Sequence, residues 1–499
     1  MKRGYINRIV FGATILLFIA ACSNSHEIKS EINRTCAIYP NYMGSTVPYN
    51  IAPLNMYTDS IREGFVMVTA KHSDQILYFK IKNNTVKFTP NKWRNLLEAN
   101  KGHQIQFTFV NSKGEAYRPF IIKVAEEPID KYVAYRLIEP GFQHWSEMGL
   151  YQRDLESFKQ SAIIENKNTN YSCMNCHSFG NRDPQNMLFH IRSTEYAGTY
   201  VWVNGVMEKL NTKTPQTISA LVYPSWHPTN RYIAFSVNDT KQTFYVNNPD
   251  KIEVFDYKSD VVVYDVEKHE MVTAPQLFSK ASFETFPTFS ADGKTLYFCS
   301  ADSTRMPHNL EQVKYALCAI EFNPETREFG NRVDTLYKSE TSSATLPRVS
   351  PDGKYLLFTV GNYGNFHIWH KSSNLWLYDI NTGECENARR WNSMDVESYH
   401  SWSSNSRWVV FSTRRDDNLH TRLFIGYISA DGTMGRPFML PQEDPMHNKR
   451  LMKSYNIPEF VNGKIDEKGY EVRNATSAID LKFATDIPTD MTSGASVKK

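Results

Sequence analysis

Four copies of one twelve-residue pattern constrain this chain more than anything else in it. Pro224 to Phe235 (PSWHPTNRYIAF) returns as Pro287 to Phe298 (PTFSADGKTLYF), as Pro347 to Phe358 (PRVSPDGKYLLF) and, without a gap, as His400 to Phe411 (HSWSSNSRWVVF). Each copy reads as a strand, a tight turn built on Asp-Gly or polar equivalents, and a second strand. A third strand follows, seen in Val261 to Val266 and in Leu375 to Ile380. Copies start 63, 60 and 53 residues apart, a period that suits four-stranded blades with long outer loops. The fold class expected is all-β, with a β-propeller as its main body.

The Pro-x-aromatic-Ser-Pro-Asp-Gly-Lys signature of these copies resembles that of the TolB-type propeller, over roughly residues 171 to 445. That resemblance implies a fold and a binding face, and no particular reaction. Four blades are plain. A fifth comes from the region of Cys173, and the segment after Pro445 is expected to help close a six-bladed ring spanning residues 171 to 485.

Cys173-Met174-Asn175-Cys176-His177 has the spacing at which two thiols form thioethers with the vinyl groups of one haem while the next imidazole reaches the iron. The cofactor expected is one covalent haem c, bound by Cys173 and Cys176 with His177 as proximal ligand. A zinc site or a redox dithiol are the competing readings; zinc needs a further ligand nearby, and dithiol chemistry does not need the histidine. His177-Ser178-Phe179 aligns with His400-Ser401-Trp402, so the motif opens a blade, and His177 is expected near the propeller axis. The wider resemblance is to exported bacterial lipoproteins that join such a propeller to a Cys-x-x-Cys-His motif.

Candidates for a second iron ligand are residues at which one blade departs from the others. His400 stands where other copies have Pro224, Pro287 and Pro347. His190 follows Phe189 where the others have Ser236, Cys299, Thr359 and Ser412. His227 replaces Ser290, Ser350 and Ser403, and Met187 is the thioether candidate. The blander reading gives His227 and His400 to turn hydrogen bonds and Met187 to packing. Arg414 and Arg415 are expected either on solvated surface or at haem propionates.

At 499 residues the chain exceeds what one core usually supports, so further units are expected. Residues 1 to 21 carry Lys2, Arg3 and Arg8 and then 13 residues from Ile9 to Ala21, too few for the roughly 20 of a membrane span; this is a signal peptide. Ile19-Ala20-Ala21-Cys22 resembles the bacterial lipobox, which makes Cys22 the lipidated residue and attaches the protein to the cell-envelope membrane. Residues 22 to 35 are expected as a polar tether, 36 to 130 as a β-sandwich-like domain with one helix near 91 to 100, 131 to 170 as a partly helical connector, and 486 to 499 as a disordered tail. Export places the body where c-type haem is attached and thiols can oxidise, which leaves open a disulfide among Cys36, Cys299, Cys318 and Cys385.

With 56 basic and 53 acidic residues nothing points to nucleic acid. No hydrolase or transferase signature stands out. Electron transfer to a protein partner is the leading expectation. The alternatives are a propeller that binds or senses a protein or glycan, with a structural or gas-binding haem, and a peroxidase, which requires an open iron position.

Overall fold

In a computed structural model the chain is described over residues 26–140 and 146–485. The leader, Cys22 and the tail from 486 lie outside these residues. Strands dominate, and six four-stranded units are arranged so that the first strand of each packs on the first strand of the next, the last against the first. The protein is a six-bladed β-propeller.

Blade one begins with Cys173–Phe179, blade two with Leu221–Trp226, blade three with Ser282–Phe289, blade four with Ser343–Val349 and blade five with Glu397–Trp402. Blade six is assembled from both ends of the propeller. Its inner strand is Ser454–Val461, and its outer strands are Tyr132–Ile138, Gly149–Asp154 and Gln160–Glu165. The stretch 131–170, expected as a partly helical connector, is thus three strands and one short 3-10 turn at Asn166–Thr169. Its apolar runs are too short to tell strand from helix by period alone, and the partner strand that decides the matter lies 300 residues away. The ring accordingly starts near 132 rather than 171.

Every inner strand bends at the same place. Cys176, Tyr223, Phe286, Leu346, Tyr399 and Ile457 all have φ between 41° and 55°, and the pairing register of each strand shifts there. The next residue is proline in four blades, and a proline has no N–H to give a ladder, so a bulge at this point costs no hydrogen bond. His177 and His400 occupy that position in blades one and five.

Two further segments complete the molecule. The C-terminal strands Ile479–Asp480 and Lys482–Phe483 add parallel outer strands to blades one and two. The N-terminal unit is one nine-stranded sheet closed over the helix Pro90–Glu98, which buries Trp93, Leu96 and Leu97. Ser30–Thr35, expected as tether, is the edge strand of that sheet; its side chains are nearly all exposed, so no apolar alternation marks it. The sheet's core runs on into Trp408, Val410 and Ile425 of blade five and Phe460 of blade six. Trp408 Nε1 and Asn405 Nδ2 both donate to the Pro128 carbonyl, at 3.0 and 2.7 Å.

Candidate functional site

Blade two departs from its siblings in length. Its strands Tyr232–Phe244 and Ile252–Asp265 continue past the blade as a long hairpin over one mouth of the ring. The hairpin is held by a buried contact in which His370 Nε2 lies 3.1 and 3.0 Å from the two carboxylate oxygens of Glu253. Asp256 beside it accepts from Asn238 and Asn365, and burial pushes its carboxyl up to about 7. Ile252 and Val254 pack there on Ile368 and Trp369.

Beneath this arm lies a cavity of about 1250 Å³, at or above the roughly 300–1,000 Å³ of small-molecule sites. One wall is apolar and aromatic, made by Ile252, Val254, Phe366, Ile368 and Trp369. Cys173, Asn175, Cys176 and His190, from the first two strands of blade one, line it as well. Arg136 and Arg192 also line it, from blade six and from the strand paired with Cys173.

Alternation explains this wall. Cys173, Asn175 and Cys176 line the cavity while Met174 is fully buried in the blade core, on whose margin Cys173 also packs; the bulge at Cys176 breaks the alternation that would otherwise put it on the side of Met174. Both thiols are free, and burial raises that of Cys176. His190 faces Asn175 across the ladder. Its Nδ1 lies 2.7 Å from Thr199 Oγ1, while Nε2 is buried with no partner. Burial, then the charge of Arg192, lowers the His190 imidazole to about 3, so the ring is neutral over the ordinary pH range.

The other sequence candidates fall elsewhere. His177 is buried and does not line the cavity; its ring faces the Ile457 backbone of blade six, and burial, then the charge of Arg136, lowers it to about 3. His400 is at the equivalent bulge of blade five, where its Nε2 donates to the Leu357 carbonyl at 2.8 Å beside a small void of the channel. Met187 is fully buried among Met174, Phe179 and Phe189. His227 bonds the Gly293 carbonyl at 3.1 Å and the Thr229 hydroxyl at 2.8 Å in its turn. Arg414 and Arg415 are neither solvated nor in the cavity. Arg414 is buried on Asp395 and the Trp369 carbonyl, and Arg415 pairs with Glu397 at 2.8 Å.

A haem-sized group fits the wall that carries the cysteines. The cavity is large, and Cys173, Cys176, Arg136 and Arg192 all line it, but His177, the iron ligand of the motif, is not on the lining, and Arg136 already donates to the Met174 carbonyl at 3.0 Å. Arg136 and Arg192 were not singled out in the sequence; neither belongs to a motif, and only the neighbouring blade brings Arg136 near Cys176. Among the described residues no group of three or more His, Cys, Asp or Glu side chains is placed to hold a bare metal ion. The described residues also hold no disulfide among Cys36, Cys299, Cys318 and Cys385. Cys299 and Cys318 sit on adjacent strands but belong to different core clusters.

No family model and no characterised protein matches the sequence. Solved structures do match the fold. TolB from Acinetobacter baumannii is similar at 13% identity and a TM-score of 0.42, over 75% of this chain and 85% of that one. Hydrazine synthase of Kuenenia stuttgartiensis is similar at 10% identity and 0.41, over 64% of this chain and 48% of that one. The propeller domain of the Trilobed protease from Pyrococcus furiosus is similar at 11% identity and 0.33, over 67% and 82%. At these identities and TM-scores the likeness carries nothing beyond a general resemblance of fold, and the six-bladed ring rests on this chain's own strand order. Among the described residues no helix is long and apolar enough to cross a membrane.

Proposed function

We propose that this protein is an exported, lipid-anchored propeller that carries one haem c on Cys173 and Cys176, with His177 as an iron ligand, and exchanges electrons with a protein partner at the cell envelope. The observation that supports this most is the meeting of both thiols of the Cys-x-x-Cys-His motif on the wall of a cavity large enough for the group. The haem would supply a one-electron couple. The chain's own residues do the rest. Cys173 and Cys176 would anchor it, Arg136 and Arg192 would orient its carboxylates, and the blade-two hairpin with Trp369 would keep water from the site. Anchoring at Cys22 would keep the site within reach of membrane redox proteins.

The test is expression with the haem-attachment machinery, followed by haem staining on a denaturing gel. Wild-type protein should stain, and the Cys173→Ser, Cys176→Ser double variant should lose the stain entirely. A wild-type chain that stays colourless overturns the reading. Palmitate labelling that is lost in Cys22→Ser checks the anchor.

A second reading, a binding or sensing propeller, is favoured by polar groups on the cavity lining. Asn238 and Asn456 line it, and each has a buried side-chain oxygen without a hydrogen-bond partner. Binding of a peptide or glycan that is unchanged in the double serine variant would favour it over electron transfer.

A further inference from the structure

One face of the N-terminal sheet carries exposed apolar side chains at the place where the described chain begins. Val68, Phe79, Phe107 and Ile122 point inward and share a core with Trp93 of the helix. Side chains of a strand alternate between faces, so the residues between these belong to the outer face. Ladder pairing sets Ile76 opposite Thr69, Thr69 opposite Gln106 and Gln106 opposite Ile121, and beside this row Tyr78 stands opposite Met67. Ile76 is 55% exposed, and Tyr78 and Ile121 are 40% exposed each. Large apolar groups gathered on one face mark a contact surface, whereas single scattered ones are ordinary. Lys80, Lys82 and Lys123 are exposed on the same face, and Glu63 is the one acid in these strands.

His26 ties the start of the described chain to this face. Its ring stacks on Tyr78 with centroids 4.2 Å apart and meets Phe65 edge-on at 4.9 Å. Cys22 stands only four residues earlier, and four residues reach at most about 14 Å. A lipid on Cys22 therefore brings the bilayer surface within that distance of His26. The side chains there suit such a surface: tyrosine settles at headgroup level, and lysine stems lie along apolar ground while their ammonium groups reach phosphates.

We infer that the outer face of the N-terminal sheet rests on the membrane, with Ile76, Tyr78 and Ile121 in the headgroup layer and Lys80, Lys82 and Lys123 on lipid phosphates. The inference rests on the reading of Cys22 as the anchor and adds an orientation to it. An anchor alone leaves the body free to swing on its tether. A face that also binds the surface holds the sheet, and through its shared core blade five, at a fixed height and angle. The acyl chains supply the attachment; the row of side chains is too small to hold the protein by itself.

The experiment places a fluorescent probe on the full-length, acylated protein in vesicles of phosphatidylethanolamine and phosphatidylglycerol, with and without a lipid that carries a nitroxide quencher on its headgroup. Ile76→Cys and Tyr78→Cys supply the labelling sites, and wild type labelled in parallel corrects for the native thiols. Lys268→Cys is the control, because Lys268 is exposed on blade two, across the ring from the blade that carries the sheet. Probes at 76 and 78 should be quenched by the labelled lipid, and the probe at 268 should not. Equal quenching at all three sites, or none at 76 and 78 in protein that takes up palmitate, overturns the inference. Should Tyr78→Cys disturb the stack with His26, Ile121→Cys replaces it. The occupant is checked with the same probes in the Cys22→Ser background without vesicles: an emission change that grows with protein concentration assigns the face to a second copy and overturns the membrane contact. A wild type that takes up no palmitate is a different result, and it fails the reading of Cys22.

Discussion

Blades one and five carry histidine at the bulge where the other four carry proline, and the two histidines meet different fates. His400 turns its Nε2 onto the Leu357 carbonyl of blade four and becomes part of the seam between blades. His177 is as deeply buried and faces the Ile457 backbone of blade six, but it lies beside the guanidinium of Arg136 and next in sequence to a free thiol, Cys176. Equivalence in the repeat fixes where a backbone goes. It does not fix what the side chain finds there, because the residue across the seam comes from a different blade with its own sequence.

The comparison breaks first if the ring is opened between these blades. Blade six joins them, and Phe460 on its inner strand is 1% exposed and shares a core with the N-terminal sheet. Phe460→Ala should cost about 3–5 kcal/mol, read as a shifted urea midpoint with the slope unchanged. A loss below about 1 kcal/mol would mean that the two blades hold together without their shared neighbour.

A substitution at His400 tests the structural half of the comparison. His400→Ala strands the buried Leu357 carbonyl, so the fold should lose about 1–3 kcal/mol. The reverse expectation holds at the other site. His177→Pro places in blade one the residue that blades two, three, four and six already carry, so thermal unfolding should change by no more than about 1 kcal/mol while the iron ligation of the haem-bearing protein is altered. If the two costs prove equal, the seam contact of His400 contributes nothing.

The smallest effect is a pH dependence at the joint. Glu459 of blade six accepts from the Phe179 amide of blade one at 3.1 Å, and enclosure in the channel wall raises its carboxyl to about 7 despite Arg348 and Arg182 nearby. A carboxyl raised in the folded state holds its proton better there than in the unfolded chain. Stability should therefore fall as pH rises from about 4.5 to 7, and Glu459→Gln should make that slope shallower, leaving the share of Asp256, whose carboxyl burial raises likewise. Denaturant midpoints at pH 5, 6, 7 and 8 decide it; a slope unchanged in the variant shows that Glu459 contributes none of it.

Blade six also shows why part of the fold was hard to read. Ile457-Pro458-Glu459-Phe460 repeats the bulge signature 58 residues after His400 and was there to be found. Its outer strands do not follow it, as in every other blade, but precede blade one, so the copy looks incomplete in sequence. The strands of the N-terminal unit, such as Glu63–Ala70, Gln75–Lys82 and Gln104–Asn111, were legible from alternation, whereas the exposed edge strand Ser30–Thr35 had none to show.

The site divides in the same way. The sequence by itself determined the propeller, the placement of the Cys-x-x-Cys-His motif at the start of a blade, and the unusual residues at 190 and 400, because repeats and thiol spacing are local and survive without knowledge of partners. Only the tertiary structure decided that His190 lines one cavity with Cys173 and Cys176 while His400 is spent on a carbonyl, that Arg136 and Arg192 line the cavity in place of Arg414 and Arg415, and that the hairpin of blade two contributes to its lining. Each of those outcomes depends on contacts between blades, and a contact between residues 136 and 176, or between 253 and 370, is set by how the ring closes.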